Sequence, residues 1–140
     1  MKLIIHTDGG ARGNPGPAAV GVVIQTETKI IAEFGKTIGE TTNNVAEYTG
    51  IIEALEFIKS NLGSKHEIQF YLDSTLVVNQ LNGLFKIKDA RLRELVMTIR
   101  FLEEEIGGKI MYSSIPREQN RRADLLVNQA FDSPHVIQRV

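Results

Sequence analysis

The chain has 140 residues, of which 42% are hydrophobic and 24% charged, and its formal net charge is −1. These values are typical of a single folded domain and exclude a disordered chain or two separate domains. The balance of charge disfavours a protein that coats nucleic acid non-specifically, although it allows a local basic track. The absence of cysteine excludes disulfides, thiolate metal sites and thiol nucleophiles.

The sequence contains no targeting or membrane-spanning pattern. No run reaches the ~20 apolar residues that a membrane span requires. The first residues, MKLIIHTD, reach an acidic side chain too early for a secretory signal. We therefore expect a cytoplasmic protein without membrane association. Because there is no repeat or linker, residues 1–132 are predicted to form one domain and residues 133–140 a loosely held C-terminal tail.

Three β-rich runs open the chain and predict an antiparallel meander over residues 2–8, 18–26 and 29–38. Helical and strand patterns then alternate, which predicts a helix over 44–61, a strand over 66–72, helices over 74–82 and 89–105, a strand over 109–115 and a helix over 120–132. This order predicts an α/β fold. Its core is a five-stranded mixed sheet, with three antiparallel and then two parallel, helix-linked strands, flanked by helices on both faces.

Asp8 ends the first predicted strand and is followed by an open loop, GGARGNPGP. Asp-Gly-Gly is also ordinary turn chemistry, so this residue alone has two interpretations. It becomes a functional carboxylate only if other carboxylates converge on it.

Glu47 lies on the apolar side of the first predicted helix. A helical wheel places it near the apolar stripe formed by Ile51, Ala54, Leu55, Ile58 and Leu62. A glutamate near a helix start can belong to a capping box or favour the helix dipole. Otherwise a buried carboxylate is too costly to leave unpaired and requires a cation.

Two further acids stand at junctions of the predicted elements. Asp73 follows the strand IQFYL and precedes a helix, where Asp-Ser is equally consistent with an N-cap. The carboxyl ends of strands are also where open α/β sheets bind ligands, so Asp73 would meet Asp8 if their strands were parallel neighbours. Asp124 lies one turn into the last helix, at the rim of its apolar stripe. It is either an exposed helical acid or a metal ligand at the sheet edge.

These acids, without cysteine or histidine at metal-ligand spacing, favour a hard cation such as Mg²⁺ or Mn²⁺. Paired cations of this kind, roughly 4 Å apart, clamp the attacking and leaving oxygens in phosphodiester cleavage.

The chain closely resembles type 1 ribonuclease H over nearly its whole length. Four segments carry the resemblance, in order and at family-like spacing: TDGGARGNPGPAAVGVV, TTNNVAEYTGIIEAL, LDSTLVVNQLNG and PREQNRRADLLVNQA. The resemblance implies a ribonuclease H-like catalytic domain over 1–132. It also implies endonucleolytic hydrolysis of the RNA strand of RNA–DNA hybrids with two Mg²⁺ ions, replaceable by Mn²⁺, leaving 5′-phosphate and 3′-hydroxyl ends. The family's acidic positions fall on Asp8, Glu47, Asp73 and Asp124, with Asp8 bridging both ions.

The same resemblance implies contacts with the hybrid. Glycines let the backbone approach a sugar, whose 2′-hydroxyl distinguishes RNA from DNA. The implied contacts are Gly9, Gly10, Asn14, Asn43 and Asn44, with Thr42 in a phosphate pocket and Lys86 and Lys88 in a small track for the DNA strand. For the asparagines and the threonine, turn and cap chemistry is the alternative interpretation, and for the lysines a solvated helix entry.

The chain departs from the family in the loop before the last helix, where many members carry a histidine. The segment SIPREQNRRAD has none, and Arg117 and Glu118 are the candidates to replace it. The basic protrusion of some members is also missing. We expect a monomer whose partner is an RNA–DNA hybrid, and leave double-stranded RNA open as a second substrate. The alternatives are a catalytically silent hybrid-binding module or another nuclease on the same fold.

Overall fold

A computed structural model describes residues 1–132 and 137–139 of the chain. Its strands are β1 (Lys2–Ala11), β2 (Gly16–Gln25), β3 (Ile30–Thr41), β4 (His66–Leu72), β5 (Gly108–Ser114) and β6 (Ile137–Arg139). Its helices are α1 (Asn43–Asn61), α2 (Thr75–Leu81), α3 (Ala90–Ile106) and α4 (Arg121–Asp132), with a short 3-10 helix at Arg117–Gln119. No helix of this described part is long and apolar enough to cross a membrane.

The strands form one mixed sheet in the order β5-β4-β1-β2-β3-β6. Strands β1, β2 and β3 pair antiparallel, whereas β4 pairs parallel with both β1 and β5. The predicted five-stranded mixed sheet is therefore confirmed. The predicted strand end at Asp8 is too early, because β1 continues through Gly9, Gly10 and Ala11, which pair with β2. The predicted open loop is thus a short turn over residues 12–15.

A sixth strand extends this sheet beyond the predicted five. Strand β6 pairs antiparallel with β3, with Gly35 opposite Ile137 and Glu33 opposite Arg139. An edge strand such as β3 presents unpaired backbone groups on its outer side, and β6 satisfies some of them. Part of the predicted tail therefore belongs to the sheet, while residues 133–136 and 140 lie outside the described residues.

Helices cover the two faces of the sheet very differently. Helix α1 packs on one face together with α2 and α3, over a large apolar core that includes Leu3, Ile5, Ile51, Leu55 and Phe70. Helix α4 covers the opposite face over a much smaller cluster formed by Ala19, Val127, Ala130 and Phe131. The predicted helices on both faces are confirmed.

Candidate active site

The parallel pairing of β1 with β4 brings the first two acids together. His6 is the register partner of Tyr71, so Asp8 and Asp73, each two residues further along, leave the paired region side by side. The side chain of Asp73 is 13% exposed. The condition for their meeting, that the two strands be parallel neighbours, is fulfilled.

Asp73 is not the cap of the helix that follows it. The Ser74 hydroxyl accepts a hydrogen bond from the Val77 N–H at 3.2 Å and caps α2. The carboxylate of Asp73 is therefore available to the site. Its neighbour is Arg117, whose Nε lies 3.7 Å from Asp73 Oδ2.

Glu47 likewise has no capping role. Thr42 caps α1 by accepting a hydrogen bond from the Val45 N–H at 3.2 Å, and Val45 occupies the capping-box position that a glutamate would need. Within the described part of the chain, Glu47 Oε2 is buried without a hydrogen-bond partner. Burial raises the pKa of Glu47 to about 7, against the opposing effects of the Ser74 hydroxyl and Arg117. A buried, unpartnered carboxylate oxygen indicates a place for a cation.

Asp124 reaches the site because α4 lies very close to the sheet. A Cβ atom on Gly21 would lie 2.2 Å from the Ala123 carbonyl oxygen, and one on Gly35 would lie 2.3 Å from that of Leu126. Only residues without side chains allow this approach of backbone to backbone. The exposed Asp124, in the first turn of α4, then lies near enough to the Asp8 carboxyl group to raise its pKa.

A buried asparagine joins the strand of Asp8 to the helix of Asp124. Asn120 precedes α4 and is 1% exposed, and its carbonyl accepts a hydrogen bond from the Asp124 N–H at 3.1 Å. Its side-chain Nδ2 donates to the Thr7 carbonyl at 2.9 Å. Whereas Thr42 and Ser74 use their side chains as helix caps, Asn120 directs its own to β1. Sequence reasoning missed this role, since asparagine before a helix is typical of a simple cap.

An ion pair adds a second attachment of α4 to the sheet. The Arg122 guanidinium donates from Nε and Nη2 to the two carboxylate oxygens of Glu33 at 2.7 and 2.6 Å. Glu33 is 3% exposed on β3. A bidentate pair with one buried partner fixes geometry as well as charge, so it sets where the first turn of α4 lies.

The four acids concentrate negative charge in a partly buried part of the molecule, where burial limits the hydration of Asp8 and Glu47. Burial, followed by the charge of Asp73 and the proximity of Asp124, raises the pKa of Asp8 to about 8. The Gly9 N–H donates to Asp8 Oδ1 at 2.9 Å and only partly opposes this rise. Carboxylates arranged in this way repel one another unless cations are present, which is a recurrent property of functional sites.

The donor set fits divalent cations bound partly through water. In residues 1–132 and 137–139, no three acidic, histidine or cysteine side chains already gather closely enough to hold one metal ion by themselves. Mg²⁺ is commonly bound through only one or two carboxylates, with waters and substrate phosphates completing its coordination. The unpartnered oxygen of Glu47 and the pair formed by Asp8 and Asp124 fit such a site.

Two adjoining cavities contain most of the predicted site residues. A groove of about 350 Å³ is lined by the four acids and by Gly9, Gly10, Asn43 and Arg117 among others. A neighbouring pocket of about 530 Å³ is lined by Asn14, Thr42, Asn43, Asn44, Asp89 and Arg91 among others. Because Asn43 lines both, the acids and the predicted hybrid contacts form one continuous surface.

The asparagines also hold this surface in shape. Asn14 Oδ1 accepts a hydrogen bond from the Asn43 N–H at 3.0 Å, and Asn43 Oδ1 accepts one from the Ala11 N–H at 2.8 Å. Among the described residues, neither side-chain NH₂ group donates a hydrogen bond. The oxygen of each side chain therefore stabilises the local backbone, and the NH₂ group of each remains available as a donor.

Three predicted residues lie outside both cavities. Lys86 and Lys88 are exposed in the segment between α2 and α3, and Glu118 is exposed in the 3-10 helix. Arg12 and Phe131 are among the groove residues that were not predicted, together with Ala11, Val127 and Asn128. Arg12 and Phe131 meet across more than a hundred residues of chain, so no local pattern could have indicated their contact.

Comparisons with known proteins place the chain in a family. The family model described as Reverse transcriptase-like matches residues 6–130. A bifunctional protein of Mycobacterium tuberculosis is 42% identical over 95% of this chain, which spans only 36% of that protein's length. A ribonuclease H of Clostridium botulinum is 36% identical, with 96% of this chain and 99% of that protein covered.

A solved structure matches the fold closely. The crystal structure of LC11-RNase H1 in complex with an RNA/DNA hybrid superposes with a TM-score of 0.89 at 44% identity, covering 94% of this chain and 98% of the other. The five-stranded sheet, the placement of the acids and these matches agree with the resemblance carried by the sequence motifs. The chain belongs to the type 1 ribonuclease H family.

Proposed function

We propose that this family member is an endonuclease that hydrolyses the RNA strand of RNA–DNA hybrids with two divalent metal ions, leaving 5′-phosphate and 3′-hydroxyl ends. Mg²⁺ is the proposed ion, with Mn²⁺ as a substitute. The observation that carries the proposal is the meeting of four carboxylates in one groove, one of them with a buried, unpartnered oxygen.

Each acid has a role that follows from its position. Asp8 interacts with both Asp73 and Asp124, which favours it as the carboxylate shared by both ions. Glu47 and Asp73 would hold one ion of the pair and Asp124 the other. When bound, a pair of such ions activates a water molecule and stabilises the charge that develops on the leaving oxygen. The chain's contribution is to fix these carboxylates in a partly buried groove.

The adjoining pocket supports the choice of a hybrid as substrate. Free amide donors on Asn14 and Asn43 suit the 2′-hydroxyls and base edges in the shallow minor groove of an A-like duplex. The backbone of Gly10 is open to approach, since the nearest atom to a Cβ built there is Asn43 Oδ1 at 3.9 Å. The hybrid bound to LC11-RNase H1 supports the same substrate class for this chain.

The test uses a hybrid with a 5′-labelled RNA strand and compares the wild-type chain in Mg²⁺, in EDTA, and with the substitution Asp73→Asn. We expect internal cuts in the RNA strand that EDTA abolishes and that Asp73→Asn reduces on the order of 10³-fold or more. Hybrid binding and folding should persist in this variant, because the substitution removes one charge and little volume.

The matched control is Glu56→Gln, which neutralises an exposed acid of α1 outside the groove. It should cut at the wild-type rate. Cleavage by Asp73→Asn at that rate would contradict the metal assignment. Hybrid binding without cleavage in any divalent metal would instead support a silent binding module.

A further inference from the structure

An arginine outside the predicted site lines the same groove as the four acids. Arg12 lies in the turn between β1 and β2, and its backbone N–H donates to the Pro17 carbonyl at 2.7 Å. A Cβ on Gly16 would lie 2.2 Å from the Arg12 carbonyl oxygen, so the turn is closely packed against itself. The base of this side chain is therefore fixed relative to β1, which carries Asp8.

The end of the Arg12 side chain is also held in place. Its guanidinium carbon lies 4.3 Å from the centroid of the Phe131 ring, and its Nη2 lies 3.4 Å from Asp132 Oδ1. Stacking on an aromatic ring leaves the donor edges of a planar guanidinium available to a further acceptor. The side chains of Arg12 and Asp132 are 54% and 74% exposed. An ion pair this exposed contributes little stability and exchanges readily with another anion.

The charges of the groove indicate what that anion is. Arg12 and Arg117 are the only basic residues that line the groove within the described part of the chain. Arg117 lies beside Asp73, whereas Arg12 lies on the ring of Phe131, near the end of α4. A nucleic-acid strand that crosses the groove carries a phosphate at every nucleotide, and a cationic side chain offsets the repulsion between such a phosphate and the nearby acids.

We propose that Arg12, stacked on Phe131, binds a backbone phosphate of the nucleic-acid strand that occupies the groove, displacing Asp132. The inference rests on the proposed function, since it requires that the groove receive a nucleic-acid strand. Arg12 then positions the strand over the acids and takes no part in the chemical step. Asp132 holds the guanidinium in place until the phosphate arrives.

The experiment measures kcat and KM of the full chain on a hybrid in Mg²⁺ over a range of monovalent salt, for Arg12→Ala and Asp132→Asn. Arg12→Ala should raise KM roughly 3- to 10-fold at low salt with little change in kcat. The slope of log(kcat/KM) against log(salt) should become shallower by about 0.7 to 0.9, as for the loss of one phosphate contact. Asp132→Asn should leave this slope unchanged and leave KM equal or lower, because it removes the competing anion.

Both substitutions break the same ion pair, but only Arg12→Ala removes the proposed phosphate ligand. A comparison of the two variants therefore distinguishes phosphate binding from a purely structural role. If the pair only fastened the turn to α4, both variants would raise KM and lower the melting temperature alike. A third variant, Phe131→Leu, removes the stack but keeps the charge, and it should raise KM less than Arg12→Ala does. Thermal unfolding of all three checks that each variant is folded.

The outcomes separate this inference from the proposed function. Wild-type cleavage with an unchanged salt slope in Arg12→Ala overturns the phosphate contact alone. A rise in KM for Asp132→Asn that equals the rise for Arg12→Ala also overturns it. A wild-type chain that does not cut hybrids in any divalent metal overturns the proposed endonuclease, and the phosphate contact with it.

Discussion

The two faces of the sheet attach their helices differently, although both deliver a carboxylate to the same groove. Both helices approach the sheet closely at glycines, since a Cβ on Gly9 would lie 2.3 Å from the Ala46 carbonyl oxygen of α1. Helix α1 lies over the main core and contributes Glu47 from among buried apolar residues. Helix α4 has a small apolar cluster beneath it and contributes Asp124. Close backbone contact at two glycines and polar attachments through Asn120 and Arg122 hold it in place.

This difference teaches that the position of Asp124 depends on a few specific contacts, whereas the position of Glu47 depends on a large apolar core together with the close approach of α1 to Gly9. Apolar burial is distributed over an area, so one substitution within the core beneath α1 should move that helix little. Close packing against a glycine tolerates no added atom, and a buried hydrogen bond has no substitute nearby. The α4 side is therefore where single substitutions should alter the proposed metal site while leaving the main core intact.

The largest effect on the α4 side is expected from Gly21→Ala. The new Cβ would meet the Ala123 carbonyl oxygen at 2.2 Å, so α4 must move away from the sheet. We expect a loss of about 1–3 kcal/mol in the free energy of unfolding. The displacement of Asp124 should also raise the Mg²⁺ concentration for half-maximal cleavage. Chemical denaturation and a metal titration measure the two effects.

Gly10→Ala is the stability control for this prediction, since its Cβ would have only Asn43 Oδ1 near it, at 3.9 Å. Its free energy of unfolding should stay within about 0.5 kcal/mol of the wild type. Equal losses of stability in both variants would contradict the idea that α4 depends on close contact at Gly21.

A smaller effect is expected from Asn120→Ala. The change removes the buried hydrogen bond to the Thr7 carbonyl and should lower the free energy of unfolding by about 1–2 kcal/mol. Because this bond ties β1 to the start of α4, the half-saturating Mg²⁺ concentration should rise as well. The control Gln129→Ala, on the exposed side of α4, should change neither quantity. A loss of stability with unchanged metal dependence would show that Asn120 has no influence on the spacing of the acids.

The smallest effect is expected from Arg117→Ala. This side chain is 86% exposed and lies 3.7 Å from Asp73, so solvent screens its charge, and turnover should fall less than about 10-fold. Arg117 also lowers the pKa of Glu47, which is about 7. Its removal raises that pKa, so the deficit should grow as the pH falls below 7 and shrink at higher pH. A pH profile of kcat measures this shift.

The control for Arg117 is Glu118→Ala, in the same 3-10 helix but outside the lining of the groove. It should leave the pH profile unchanged. A larger loss of turnover in Glu118→Ala than in Arg117→Ala would favour Glu118 over Arg117 as the candidate for the place of the histidine that many family members carry.

The sequence alone predicted the five strands of the central sheet and the four α-helices, because hydrophobic periodicity and caps are local properties. It also singled out Glu47, since a carboxylate on an apolar helix face is costly to bury without a partner. It could not decide between capping and catalysis for Glu47 and Asp73. That choice depended on Thr42 and Ser74, whose side chains take the capping positions in the folded chain.

Only the tertiary structure decided which residues meet. The register of β1 against β4 sets Asp8 beside Asp73, and the approach of α4 over Gly21 brings in Asp124. The pairing of β6 with β3 and the stack of Arg12 on Phe131 join segments that are distant in the sequence. The sequence pattern around a residue indicates only which face of its own helix or strand it lies on. These contacts depend instead on how helices and strands pack against one another. The sequence therefore determined the elements and the acids they carry, and tertiary packing determined the groove in which those acids lie together.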